Sequence, residues 1–249
     1  ANQIPVKQGP AVMNMNIYES NSWMQTQQGA MRPGGLQLTG QLLELAALVN
    51  EARILDLGCG LGGTVSKLKE LGYQAVGVDI SPLLVQQGLI KHPGTQLMVG
   101  DAANLPFDAE TFDAVIYECS LSVMPARQVL QECNRVLQPS GKVLISDIYA
   151  RQKPPIPKWD ALDVNLLLQN EWIELLEQSG FAGIQFVDCS KALTEFLVKV
   201  IWEHGSLENI LDCRQWSRIK PAKPGYFLAV ATKTVRKWCK TENEQQGYL

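Results

Sequence analysis

One stretch constrains this chain more than any other. The short apolar run Ile54-Leu55-Asp56-Leu57 reads as a buried strand, and it breaks into Gly58-Cys59-Gly60-Leu61-Gly62-Gly63 just before a helical segment at 64–71. Glycine lets the backbone turn sharply and lets a ligand approach with no Cβ in the way. The helix behind such a turn offers unpaired N–H groups and a partial positive charge at its start. Strand, glycine turn and helix in that order fit the carboxyl edge of a parallel sheet, where open α/β sheets bind ligands.

The rest of the chain keeps the same rhythm. Strands are predicted at 53–57, 74–78, 96–99, 112–117, 142–148 and 184–187, and helices at 36–48, 64–71, 82–91, 126–137 and 170–178. The helix at 126–137 carries apolar residues at 126, 129, 130, 133, 136 and 137, the spacing of one buried face. Strands alternating with helices at this interval imply βαβ units with right-handed crossovers. The expected fold class is α/β, a Rossmann-like doubly wound sheet, mostly parallel and covered on both faces. Two stretches, about 151–168 and 190–224, interrupt the alternation and are expected to be cap insertions. Residues 225–234 read as a last strand, 1–35 as an irregular leader or lid, and 240–249 as a polar tail.

Composition narrows the function classes. A chain of 249 residues, 46% apolar, builds a core without disulfide or metal staples. Its 22 Lys+Arg against 25 Asp+Glu include no dense basic run, which argues against nucleic acid and against a polybasic membrane anchor. No apolar stretch approaches the roughly 18–20 residues of a membrane span. The opening Ala-Asn-Gln-Ile-Pro lacks the pattern of a signal peptide. Cysteines at 59, 119, 133, 189, 213 and 239 form no CxxC pair, and histidine occurs only at 92 and 204. No metal centre is expected, and a reducing, cytoplasmic setting is.

The glycine turn has two functional readings. Gly58, Gly60 and Gly63 satisfy the G-x-G-x-x-G dinucleotide spacing, and Asp79 lies 19 residues beyond Gly60, where an acid would grip a ribose. A NAD-dependent oxidoreductase is one reading; a tight βα connection without ligand is the bland alternative. The other strand ends separate them. Asp56 stands inside the strand, where dinucleotide binders usually carry an apolar residue. A further strand runs into Gly100-Asp101-Ala102 and then Asn104-Leu105-Pro106-Phe107. The next reads Phe112-Asp113-Ala114-Val115-Ile116, and 135–147 reads RVLQPSGKVLISD. This ordered series, from about 36 to 149, resembles the class I S-adenosylmethionine-dependent methyltransferases. Within them it is similar to the small-molecule branch of ubiquinone/menaquinone-biosynthesis type. Ser140 stands where that branch usually has Gly.

The resemblance implies a methyltransferase domain over 36–239, a seven-stranded sheet whose last strand is antiparallel, and S-adenosylmethionine as cofactor. By the same resemblance Gly58, Cys59 and Gly60 lie against the methionine portion, and Asp56 organises the turn or meets the ammonium group. Asp79 accepts from the ribose hydroxyls, Ile80 packs on the adenine, and Asp101 and Ala102 meet its edge. Cys119 would touch cofactor or acceptor, or be an inert buried thiol. Methyl transfer is an in-line displacement, so holding the reactants collinear is the main task and no catalytic residue is singled out. The expected acceptor is a small molecule. Candidates for its site are Tyr18, Trp23 and Arg32 in the leader, Glu118, and Asp147; Glu118 reads either as a base or as a bridge to the leader. A non-catalytic S-adenosylmethionine-binding protein is the remaining alternative. Neither the methylated atom nor the oligomeric state is legible.

Overall fold

A computed structural model describes residues 32–153, 166–206 and 219–234. Tyr18 and Trp23, most of the insertion at 151–168, residues 207–218 of the one at 190–224, and the tail lie outside the described residues. Seven strands form one sheet in the order β3-β2-β1-β4-β5-β7-β6. They are β1 Arg53–Leu57, β2 Gln74–Asp79, β3 Gln96–Val99, β4 Phe112–Glu118, β5 Leu137–Ala150, β6 Phe181–Asp188 and β7 Pro224–Lys233. The pairs among β1 to β5 are parallel, and β7 runs antiparallel between β5 and β6. The expected doubly wound sheet with an antiparallel last strand is the one observed.

Helices cover both faces: α1 Gly35–Ala46, α2 Gly63–Glu70, α3 Pro82–Lys91, α4 Ala126–Val136, α5 Gln169–Gln178 and α6 Ser190–His204. Alternation along β4 splits the core. Val115 and Tyr117 join Val129 and Leu130 of α4 and Trp172 and Leu176 of α5. Ala114 and Ile116 join Leu38 and Leu42 of α1, Leu68 of α2 and Leu193 of α6. β1 is buried over its last four residues, as a central parallel strand requires. α3 starts where Ser81 accepts from the Leu84 N–H at 3.2 Å, with Pro82 at its first position. Lys142 Nζ closes the other end of α1 by donating to the Ala46 carbonyl.

Differences from the predicted boundaries sit at element ends. β5 begins at Leu137 rather than 142, because Leu137 already pairs with Phe112 before a register shift brings Ala114 opposite Lys142. Ser140, in that shift, holds φ 64. β6 runs longer than 184–187, through an irregularity at Gly183 that a window for regular strand passes over. β4 extends one residue, to Glu118, and Cys119 then leaves the strand at φ 55. Among the described residues, no helix is long and apolar enough to cross a membrane.

Candidate active site

The parallel strands end on one edge, and most of the expected site residues meet there. The glycine turn is stitched to the end of β2: Gly58 N–H donates to the Val78 carbonyl at 2.8 Å, and Gly60 N–H donates to Asp79 Oδ2 at 2.8 Å. The other carboxylate oxygen of Asp79 accepts from Ser81 N–H at 2.9 Å. Each carboxylate oxygen can accept more than one donor, so these bonds orient Asp79 at the mouth of the turn and leave it acceptor capacity. Two glycines there do different jobs. A Cβ at Gly58 would lie 2.5 Å from the Ser120 side chain, whereas one at Gly60 meets nothing within 4 Å. The fold itself requires the first; the second keeps open space beside the turn.

Beside the turn stands a group of acids. Asp56 is 2% exposed. Burial pushes its carboxyl well up, and the negative charges of Glu118 and Asp79 add to that while Arg32 opposes it. Glu118, the last residue of β4, accepts from Thr39 of α1 at 2.8 Å and from Thr64 of α2 at 2.5 Å. Arg32 Nη2 pairs with it at 2.7 Å and also donates to both threonine hydroxyls. Thr39 and Thr64 escape sequence reasoning, since they stand 79 and 54 residues from Glu118 and carry no motif of their own.

The remaining candidates are placed as follows. Ile80 is 58% exposed, an open apolar surface next to Asp79. Asp101 is exposed and folds its carboxylate onto the Ala103 N–H at 2.8 Å, with Ala102 between them. Cys59 packs against Val65, Val85 and Leu97. Burial pushes its thiol well up, so it is a filler rather than a nucleophile. Cys119 turns its sulfur to the Tyr226 hydroxyl at 3.1 Å, with its own N–H on the Ser146 carbonyl. Burial raises that thiol to about 12. Asp147 stands apart from the turn: 1% exposed, it accepts from Ser122 N–H and its neighbour Ile148 N–H, both at 2.8 Å. Burial lifts its carboxyl to about 6 against those bonds.

The charge balance discriminates between ligands. Asp79 holds its carboxylate at the mouth of the turn, on the Gly60 N–H, which disfavours a pyrophosphate there and suits a ligand carrying positive charge. A sulfonium and an ammonium meet that requirement, and the open space at Gly60 admits the ligand's backbone-hugging portion. The residues present therefore fit S-adenosylmethionine.

Comparison with known proteins decides the family. Residues 55–145 match the family model described as a methyltransferase domain. An uncharacterized methyltransferase of Bacillus subtilis, YodH, is 33% identical over 158 residues, covering 60% of this chain and 68% of its own length. The chain belongs to the class I S-adenosylmethionine-dependent methyltransferases. A demethylmenaquinone methyltransferase of Paenarthrobacter aurescens is 30% identical over 118 residues, and the methyltransferase described here spans about half of it, 46%. Among solved structures, phosphoethanolamine N-methyltransferase 2 of Haemonchus contortus, in complex with S-adenosyl-L-methionine, superposes with a TM-score of 0.69 at 18% identity. It covers 90% of this methyltransferase, which covers 61% of it. The [4+2]-cyclase SpnF superposes with a TM-score of 0.64 at 22% identity, covering 80% of each chain. These two establish the fold. The methyltransferase reading of the chain holds, and the NAD-dependent oxidoreductase reading falls with it.

Proposed function

We propose that this methyltransferase moves a methyl group from S-adenosylmethionine to a small-molecule acceptor by in-line displacement, with the cofactor held on the β1–β2–β3–β4 edge. The observation that carries the proposal is the open space at Gly60, beside the Asp79 carboxylate that accepts the Gly60 N–H. When bound, S-adenosylmethionine supplies a methyl group already activated on a sulfonium. Asp79 accepts the ribose hydroxyls, and Ile80 offers its exposed side chain to the adenine. Asp101 and Ala102 meet the ring's polar edge. Gly58, Cys59 and Gly60 border the methionine portion, and Asp56 organises the turn or meets the ammonium group. What the protein then contributes is alignment and exclusion of water, which supply about 7–11 kcal/mol when reactants are well oriented.

The acceptor belongs to the same proposal. Relatives named as a demethylmenaquinone methyltransferase and as a sterol 4-C-methyltransferase support a small organic acceptor. A reducing cytoplasmic setting is consistent with Cys59, Cys119, Cys133 and Cys189, which are all free thiols. Calorimetric titration with S-adenosylmethionine and NADH tests the cofactor reading: micromolar binding of the first and none of the second is expected. Binding of NADH alone overturns it. Turnover of labelled S-adenosylmethionine against quinols and other small acceptors then tests the acceptor class. Strong cofactor binding with no turnover on any acceptor favours a non-catalytic binding protein.

A further inference from the structure

The carboxylate of Glu118 sits at the end of β4, where an acid or base would be sought, yet its surroundings fit another task. Its side chain is 3% exposed and that of Arg32 is 8% exposed. Thr39 and Thr64 each donate to Glu118 and each accept from Arg32 Nη2, so the four side chains close a ring. Three donors on one carboxylate, one of them a guanidinium, leave it ill placed to take a proton from an acceptor. The ring also fixes which way the guanidinium faces. Its Nη2 edge is spent on the ring, and Nε is buried with no hydrogen-bond partner among the described residues. A buried donor left unpaired is costly and is retained where something else is to meet it. Arg32 lies against Thr64, in the first turn of α2 and directly after the glycine turn, beside the space that the cofactor reading assigns to the amino-acid end. The carboxylate of that end is the anionic group that such a donor suits.

We propose that Glu118 is a positioning residue: with Thr39 and Thr64 it sets the Arg32 guanidinium so that Nε–H is presented to the carboxylate of the cofactor's amino-acid tail. The proposal rests on the cofactor reading above. It makes Arg32 a ligand-contacting group and Glu118 its holder, and it removes Glu118 from the candidates for a catalytic base.

Two probes separate this role from a merely structural one. S-Adenosylhomocysteine carries the amino-acid tail, and 5′-methylthioadenosine shares its adenosine but lacks the tail. In Glu118→Gln, the affinity of the full chain for S-adenosylhomocysteine should fall by about tenfold to a hundredfold, while that for 5′-methylthioadenosine stays within about twofold. Arg32→Lys, which keeps the charge but loses the fork, should show the same selective loss, and the double variant should be little worse than either. Thr64→Val, milder for the fold, should move the ratio of the two affinities in the same direction. Equal losses for both probes would make Glu118 a structural residue and overturn the proposal. So would unchanged affinity for S-adenosylhomocysteine in Glu118→Gln. If wild-type protein binds neither probe, the cofactor reading itself fails, and this proposal falls with it.

Discussion

Single residues at the strand ends divide into those that serve the fold and those that face a ligand, and substitution separates them. Gly58→Ala forces a Cβ onto Ser120 and should lower the melting temperature markedly. Gly60→Ala, with open space beside it, should cost less stability yet weaken S-adenosylmethionine binding; melting curves and calorimetry on both variants check the contrast. Asp79→Ala removes a charged acceptor from the mouth and should weaken cofactor binding by about one to two decades, read by titration. Asp147 gives a pH effect whose sign follows from burial. Its carboxyl rises from the ordinary 3.8 to about 6 in the folded chain. The stability it contributes is therefore full below about pH 4 and is lost as pH rises through about 6, an amount on the order of 3 kcal/mol. Asp147→Asn adds a constant offset, because its amide meets a backbone N–H, but it should erase that slope in unfolding free energy between pH 4 and 7. The glycines, Asp56, Asp79 and Asp101 are legible in the sequence because each stands within a few residues of a strand end. The Arg32–Glu118 ring is not, because its members come from four separate parts of the chain and only packing brings them together.

Elements were legible wherever a period extends over two turns or four strand residues. α4 is the clearest case: its buried Ala126, Val129, Leu130, Cys133 and Val136 are the predicted face. Ends were less so, since a strand's first and last pairs depend on the neighbour. Glu118 belongs to β4 because of its pairing with Ser146, which no local pattern reveals. Backbone strain at element junctions is the other hidden quantity. Ser140 holds φ 64 at the start of β5, a left-handed conformation in which a side chain is costly. Ser140→Gly should raise stability by about 1 kcal/mol, measured by denaturant unfolding, in spite of removing a hydroxyl. At the start of α3, Ser81→Ala removes the acceptor for the Leu84 N–H and should cost about 1 kcal/mol in the same assay.

At the scale of the whole molecule, the sheet edge rather than the fold class carries the function. The [4+2]-cyclase SpnF has the same fold, so architecture alone does not choose a reaction. The match of residues 55–145 to a methyltransferase domain makes that choice. The placing of β7 has a consequence for how the chain comes into being. A ribosome releases β3, β2, β1 and β4 well before residues 224–233, so the half of the sheet that bears the cofactor residues can assemble while the nascent chain is still being made. β5 must meanwhile wait with its far side unpaired, and β6 has no neighbour at all, because the strand that joins them is translated last. Such an open border is where a half-made protein sticks to another copy of itself.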